Sequence, residues 1–235
     1  MNKLQEFLRT FFPSRCIICD TPIFEEGFCK KCTGLLKPIG IELCPSCGME
    51  AKGCVCDERI MHFDGIIAPY LNEGYAQTAI YNLKFRKMFN CVEVFGEQMA
   101  TFAEKYFGAE NIDIICYVPL NRSSRIKRGF DQCEVLAVRV AEVLNKPLVK
   151  DLLFKNEDVK TQHSLAPAER FENVKDAYYT KGRIKNKNVL LVDDIKTTGA
   201  SLDACARKLK FAGANKVYCV TALITPKQTK KTDKS

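Results

Sequence analysis

The segment Val189 to Ser201, VLLVDDIKTTGAS, lines up two adjacent carboxylates, two threonine hydroxyls and a glycine in an order that suits one kind of ligand. Val189-Leu190-Leu191-Val192 reads as a buried strand that delivers Asp193 and Asp194 to its carboxyl end, the edge where ligands bind in open α/β sheets. Thr197, Thr198, Gly199, Ala200 and Ser201 then read as a turn and a helix start. The hydroxyls donate, the glycine lets the backbone come close, and the free amides with the helix dipole hold a dianionic phosphate. Asp193 and Asp194 would repel that phosphate but can accept hydrogen bonds from the 2′ and 3′ hydroxyls of its ribose. The segment therefore reads as a ribose 5-phosphate site, with a plain capped turn and solvated aspartates as the alternative. Lys196 either brings a cation to this site or points to solvent.

Eight of the thirteen cysteines fall between Cys16 and Cys56. Cys16, Cys19, Cys29 and Cys32 form two C-x2-C pairs, and Cys44, Cys47, Cys54 and Cys56 form a second set whose last pair is spaced by one residue. Paired sulfurs of this kind face a tetrahedral ion, and Gly48 after Cys47 suits a knuckle turn. A disulfide gives roughly 2–4 kcal/mol whereas structural zinc gives about 10–16 in small peptides, so zinc is preferred in so apolar-poor a stretch. Two ions are favoured over one, with interleaved pairing left open. Four thiolates per ion leave no position for water, so the sites are expected to be structural. Cys91, Cys116, Cys133, Cys205 and Cys219 lie in apolar patterns and read as small core residues.

A second polar cluster follows the apolar run ending in Val118-Pro119-Leu120, where Asn121, Arg122, Arg125, Lys127 and Arg128 form what reads as a basic loop able to hold pyrophosphate. A solvent-facing loop or a nucleic-acid patch fits the same residues. Lys84 to Lys87 is a further basic segment. His163 reads as a bystander, and the tail Lys227 to Ser235 as a solvated terminus, with a polyanion contact as the alternative.

These residues need elements to place them. Strands are expected at Gly65–Tyr70, Ile112–Pro119, Pro147–Leu152, Val189–Asp193 and Lys216–Ile224, and helices at Gly74–Phe85, Val92–Tyr106, Gln132–Leu144 and Thr198–Phe211. The alternation predicts a doubly wound, mainly parallel α/β sheet, preceded by a small cysteine-rich zinc-ribbon module. The boundary falls near Asp57 to Met61, giving a module over residues 1–58 and an α/β domain over 59–235. An amphipathic helix is expected at Asn2–Phe12; its charged interruptions do not fit a secretory signal. No apolar stretch approaches the roughly 20 residues that span a bilayer. With 46% hydrophobic residues and a formal charge of +8, a cytoplasmic protein without membrane insertion is expected.

The string of apolar strand, two acids and Thr-Thr-Gly resembles the phosphoribosyl pyrophosphate loop of type I phosphoribosyltransferases. The chain as a whole resembles the ComF family of competence-associated, amidophosphoribosyltransferase-like proteins. Phe12-Pro13-Ser14-Arg15-Cys16 resembles that family's entry to its zinc module, Leu83-Lys84-Phe85 its Lys-Tyr-like element, and Arg128-Gly129-Phe130-Asp131-Gln132 its Arg-Gly-Phe-Asn-Gln motif, with Asp131 in place of asparagine. The resemblance implies a type I phosphoribosyltransferase-like fold and a pyrophosphate loop at Leu120 to Ser124. It also implies a closing loop from Lys160-Thr161-Gln162 to Arg170 and Asn173. The implied ligand is phosphoribosyl pyrophosphate with Mg²⁺, with Asp193 and Asp194 stabilising the sugar, in competence or DNA uptake. Two other roles fit: handling of single-stranded DNA beside DNA-uptake protein partners, and a phosphoribosyl sensor without turnover.

Overall fold

The computed structural model describes residues 14–23, 27–40, 42–52, 54, 56, 61–157, 174 and 176–226. The expected helix at Asn2–Phe12, the boundary residues Asp57 to Ile60, the closing loop with His163, and the tail from Lys227 lie outside them. The cysteine-rich stretch contributes β1 (Ser14–Arg15) antiparallel to β2 (Pro22–Ile23), and the single-turn helix α1 (Lys30–Thr33).

After it come β3 (Gly65–Ile67), β4 (Tyr70–Leu71), α2 (Gly74–Arg86), α3 (Asn90–Phe107), β5 (Ile114–Tyr117), α4 (Arg122–Arg128) and α5 (Gln132–Leu144). The chain continues through β6 (Leu153–Lys155), β7 (Tyr178–Thr180), β8 (Val189–Lys196), α6 (Ala200–Phe211) and β9 (Val217–Ile224). The main sheet runs β3-β9-β8-β5 with every neighbouring pair parallel, and β4 joins β9 beyond the end of β3. Burying β8 and β9 on both faces explains their near-continuous apolar sequences. One face packs Ile80, Phe95, Met99, Leu136 and Val140 from α2, α3 and α5 against Leu190 and Val192. The other packs Leu202, Cys205 and Leu209 from α6 against Val189, Leu191 and Cys219. The doubly wound, mainly parallel α/β architecture is thus present.

Three local differences from expectation bear on the site. β8 runs on to Lys196, because Asp193, Ile195 and Lys196 stay in register with Thr221, Leu223 and Ile224; the acids sit within the strand rather than at its tip. Pro147–Leu152 makes a bridge from Leu148 to Ile115 instead of a strand. The basic segment after Leu120 is not a loop but α4, whose first turn is capped by Asn121 Oδ1 accepting the Ser124 amide at 2.8 Å. Gly129, at φ +83°, ends it.

Candidate phosphoribosyl site and cysteine clusters

β8 carries both acids, and its turn into α6 needs one left-handed residue. Gly199 supplies it at φ +85°, a conformation that would strain any side-chain-bearing residue. The helix therefore begins at Ala200, two residues later than Thr198. Thr198 Oγ1 accepts the Ala200 amide at 3.3 Å within the turn, while the capping position itself is Gly199, which has no side chain to cap the helix. Asp203 also accepts the His62 amide at 2.6 Å and has both carboxylate oxygens 3.1 Å from His62 Nδ1, bracing the first turn of α6.

Asp194 is 5% exposed and pairs through Oδ2 with Lys84 Nζ at 2.8 Å. Burial alone would depress the Lys84 ammonium, but the Asp194 charge and hydrogen bond beside it raise it instead. Asp193 is pushed up to about 7, first by burial and then by the neighbouring Asp194 charge. Its Oδ1 accepts the Asp194 amide at 2.8 Å and the Cys133 thiol at 3.1 Å. Cys133 is a buried residue, as its apolar pattern implies, but it is also a polar partner of the acid pair. Burial, then the Asp193 charge, push its thiol well up, so it acts as a donor and not as a thiolate.

The residues after β5 come to the same end of the sheet, since Tyr117 pairs with Val192 and the Val118 amide donates to Val192 O at 2.9 Å. Asp131 ties the two parts together. Its carboxylate accepts the Leu120 amide through Oδ2 at 2.8 Å and the Cys133 amide through Oδ1 at 2.9 Å, two acceptor oxygens that aspartate supplies and asparagine, with one carbonyl oxygen, does not. The Arg122 amide donates to Glu157 Oε1 at 2.7 Å, while Arg128 bonds Gln132 and places its guanidinium 5.4 Å from the centre of the Phe85 ring.

Lys84 is legible in the sequence only through a resemblance; no spacing rule links it to Asp194, 110 positions on. Lys196 does not point to solvent. It is 5% exposed and donates through Nζ to Cys47 O at 2.9 Å.

The sulfurs of Cys16, Cys19, Cys29 and Cys32 lie within 4.8 Å of one another, as do those of Cys44, Cys47, Cys54 and Cys56. The pairs do not interleave. Thr21 hydrogen bonds lower the Cys19 thiol to about 6, and Cys44 is lowered to about 7 because the Cys47 amide and the other sulfurs outweigh its burial. Burial instead raises the Cys32, Cys47 and Cys56 thiols, so the case for zinc rests on two compact four-sulfur sets, which support a structural metal role. No helix among the described residues is long and apolar enough to cross a membrane.

Residues 131–235 match the phosphoribosyl transferase domain model and residues 7–60 the double zinc ribbon domain model. The chain is 24% identical to Competence protein F of Haemophilus influenzae over 225 residues, covering 89% of this chain and 96% of that protein. It is 23% identical to Competence protein ComFC of Bacillus subtilis over 221 residues, covering 84% and 89% respectively. A solved structure of glutamine phosphoribosylpyrophosphate amidotransferase from B. subtilis is similar with a TM-score of 0.39 and 22% identity, over 57% of this chain and 27% of that one. The chain is a homologue of Competence protein F and ComFC, carrying a phosphoribosyl transferase domain together with an N-terminal double zinc ribbon.

Proposed function

We propose that the α/β domain, residues 59–235, binds phosphoribosyl pyrophosphate with Mg²⁺, or a related ribose 5-phosphate group, in DNA uptake or utilization. The observation that carries this reading is the placement of Asp193 and Asp194 on β8 immediately before a left-handed glycine turn and the start of α6. In this role Asp193 and Asp194 accept the ribose hydroxyls, with Lys84 paired to Asp194 Oδ2. Thr197, Thr198, Gly199, Ala200 and Ser201 hold the 5-phosphate at the helix N-terminus. Leu120, Asn121, Arg122 and Arg128 face the pyrophosphate; the amides of Leu120 and Arg122 exchange their carboxylate partners for it on binding. Mg²⁺ would neutralise charge on the leaving pyrophosphate. Transfer then needs the acid pair to stabilise a cationic sugar and calls for no protein nucleophile. The eight ribbon cysteines hold two structural zinc ions in the module over residues 1–58.

The test is titration calorimetry with phosphoribosyl pyrophosphate and Mg²⁺. Binding is expected in the wild type, weakened about tenfold or more in Asp193→Asn/Asp194→Asn, as loss of charge-assisted hydrogen bonds predicts. No binding, or equal binding by the variant, overturns the reading. Pyrophosphate release in the presence of mixed acceptors separates a transferase from a sensor.

A second reading rests on exposed aromatic rings beside Arg128. Tyr81, Phe85 and Phe89 are 54%, 61% and 45% exposed, Phe85 with the Arg128 guanidinium 5.4 Å from its ring centre, and aromatic rings beside cations stack on the bases of single-stranded DNA. Such binding would weaken steeply with salt and fall in Phe85→Ala. Binding insensitive to both would sink it.

A further inference from the structure

The sequence leaves Lys196 as a lysine beside a phosphate turn; the structure buries it under the second cysteine knuckle. Its ammonium donates to Cys47 O, and its Cε lies 3.5 Å from where a Cβ on Gly199 would sit. One side chain thus touches both the backbone of a cysteine in the second set and the space of the left-handed residue that shapes the turn. The two are also joined through the sheet. The Thr225 amide donates to Lys196 O at 2.8 Å, and Lys196 pairs with Ile224.

Ile224 in turn meets the knuckle. The Ile66 amide donates to Pro45 O at 3.0 Å, and Gly48, at φ +73°, has so little room that a Cβ there would come 2.9 Å from Ile224 Cδ1 and 3.1 Å from Ile66 O. The knuckle Cys44–Gly48 is therefore packed onto the carboxyl ends of β3, β9 and β8, the end at which the turn Thr197–Gly199 leaves the sheet. A zinc ion held by four thiolates carries net negative charge, which favours an ammonium at the adjacent carbonyl.

We infer that Lys196 is a positioning residue that couples the second cysteine set to the turn Thr197–Gly199, so that metal held by Cys44, Cys47, Cys54 and Cys56 strengthens binding of a phosphorylated ribose. The inference rests on the phosphoribosyl reading for its ligand but on the contacts above for its coupling. Metal fixes the direction of the Cys47 carbonyl. That carbonyl fixes the Lys196 ammonium, and the lysine stem limits how far the turn can move. Linkage requires the effect to run both ways: a ligand that favours the ordered turn must retain the metal by the same factor.

The experiment uses the full chain and ribose 5-phosphate, a probe that needs no Mg²⁺ and so tolerates a chelator. Zinc release to a chromogenic chelator is followed with and without the probe, and the phase belonging to the second set is identified as the one missing from Cys54→Ser/Cys56→Ser. Ribose 5-phosphate is expected to slow that phase about fivefold or more in the wild type, the lower range of ordinary coupling, and to leave it unchanged in Lys196→Met. Cys54→Ser/Cys56→Ser is expected to bind the probe about fivefold more weakly than the wild type, and Lys196→Met to bind like it.

Equal release rates in the wild type with saturating probe would overturn the coupling. A wild type that binds no ribose 5-phosphate would overturn the phosphoribosyl reading instead, and the coupling is then read from amide resonances of Thr198, Gly199 and Ala200. These are expected to shift when the second set is emptied in the wild type and not in Lys196→Met; resonances that stay put in the wild type overturn it without any ligand.

Discussion

The two four-cysteine sets are alike in composition and differ in what they rest on. The first is docked on helices. Ile17, between Cys16 and Cys19, is fully buried in the core formed by α2, α3 and α5, and Asn82 on α2 donates to Ile17 O at 2.6 Å. Asn90 on α3 bonds Arg15 O, and the Phe28 ring meets Phe95 edge-on at 6.0 Å. Among the described residues the second set drives no fully buried side chain into that core; Leu43 packs against its edge and, with Met49, against Ile39, Ala68 and Ile224. The set is docked on the carboxyl end of the sheet by these, by backbone contacts, by a close-packed Gly48 and Ile224, and by a buried lysine. One knuckle is thus an extension of the hydrophobic core, and the other is a wall of the candidate ligand site. Losing the first should be felt as stability, and losing the second as a change in the site.

Zinc loss gives the largest contrast. Cys16→Ser/Cys19→Ser removes a binding energy on the order of 10 kcal/mol from the module that carries Ile17. Calorimetric melting is expected to show the whole chain destabilised, with the main transition lowered by many degrees. Cys54→Ser/Cys56→Ser is expected to leave the main transition of the α/β core within a few degrees of the wild type, while weakening ribose 5-phosphate binding. Equal falls in both variants would erase the distinction between the two docks.

Ile17→Ala refines it without touching a cysteine. Trimming an isoleucine with no exposed surface costs about 2–4 kcal/mol through lost burial and a residual cavity, and urea unfolding should show this as a lower midpoint at unchanged slope. Zinc content should stay at the wild-type value. A change under about 1 kcal/mol would mean the first knuckle merely lies against the helices.

Much of this arrangement is legible in the sequence, and the parts that are not share a cause. α5 begins and ends where its pattern predicts, at Gln132 and Leu144, because an Asp131 cap and an apolar stripe are local signals. The paired cysteines likewise announce their clusters by spacing. The acid pair and its glycine turn are local too, and their placement on one strand and helix start can be read directly. What sequence does not give is contact between distant segments. Lys84 with Asp194, Cys133 with Asp193 and Lys196 with Cys47 each span dozens of residues, and each side chain type fits a bland role just as well. The basic stretch after Leu120 reads as a loop because its charges draw attention away from Asn121 and Gly129, a cap and a stop seven residues of helix apart.

Asp193 supplies a smaller test, of opposite sign to Ile17→Ala. Its folded-state pKa is raised to about 7 by burial and by Asp194, above the ordinary carboxylate value. The folded protein therefore holds a proton that the unfolded chain releases between roughly pH 4 and 7, and stability falls as pH rises through that window. Each tenfold gain in proton affinity on folding is worth about 1.4 kcal/mol, and solvent reaching the partly exposed carboxyl lowers the net effect to about 2 kcal/mol at pH 8. Asp193→Asn keeps an oxygen to accept the Cys133 thiol but never ionises. It should match the wild type in stability near pH 4 and exceed it by about 2 kcal/mol at pH 8, measured by urea unfolding across the range. The same substitution should weaken ribose 5-phosphate binding, because the ionised acid is the stronger acceptor for the sugar hydroxyls. A variant that is no more stable than the wild type at pH 8 would show that this carboxylate is comfortably solvated, and that the ligand end of the sheet, unlike the helical dock, carries no stored cost for binding to relieve.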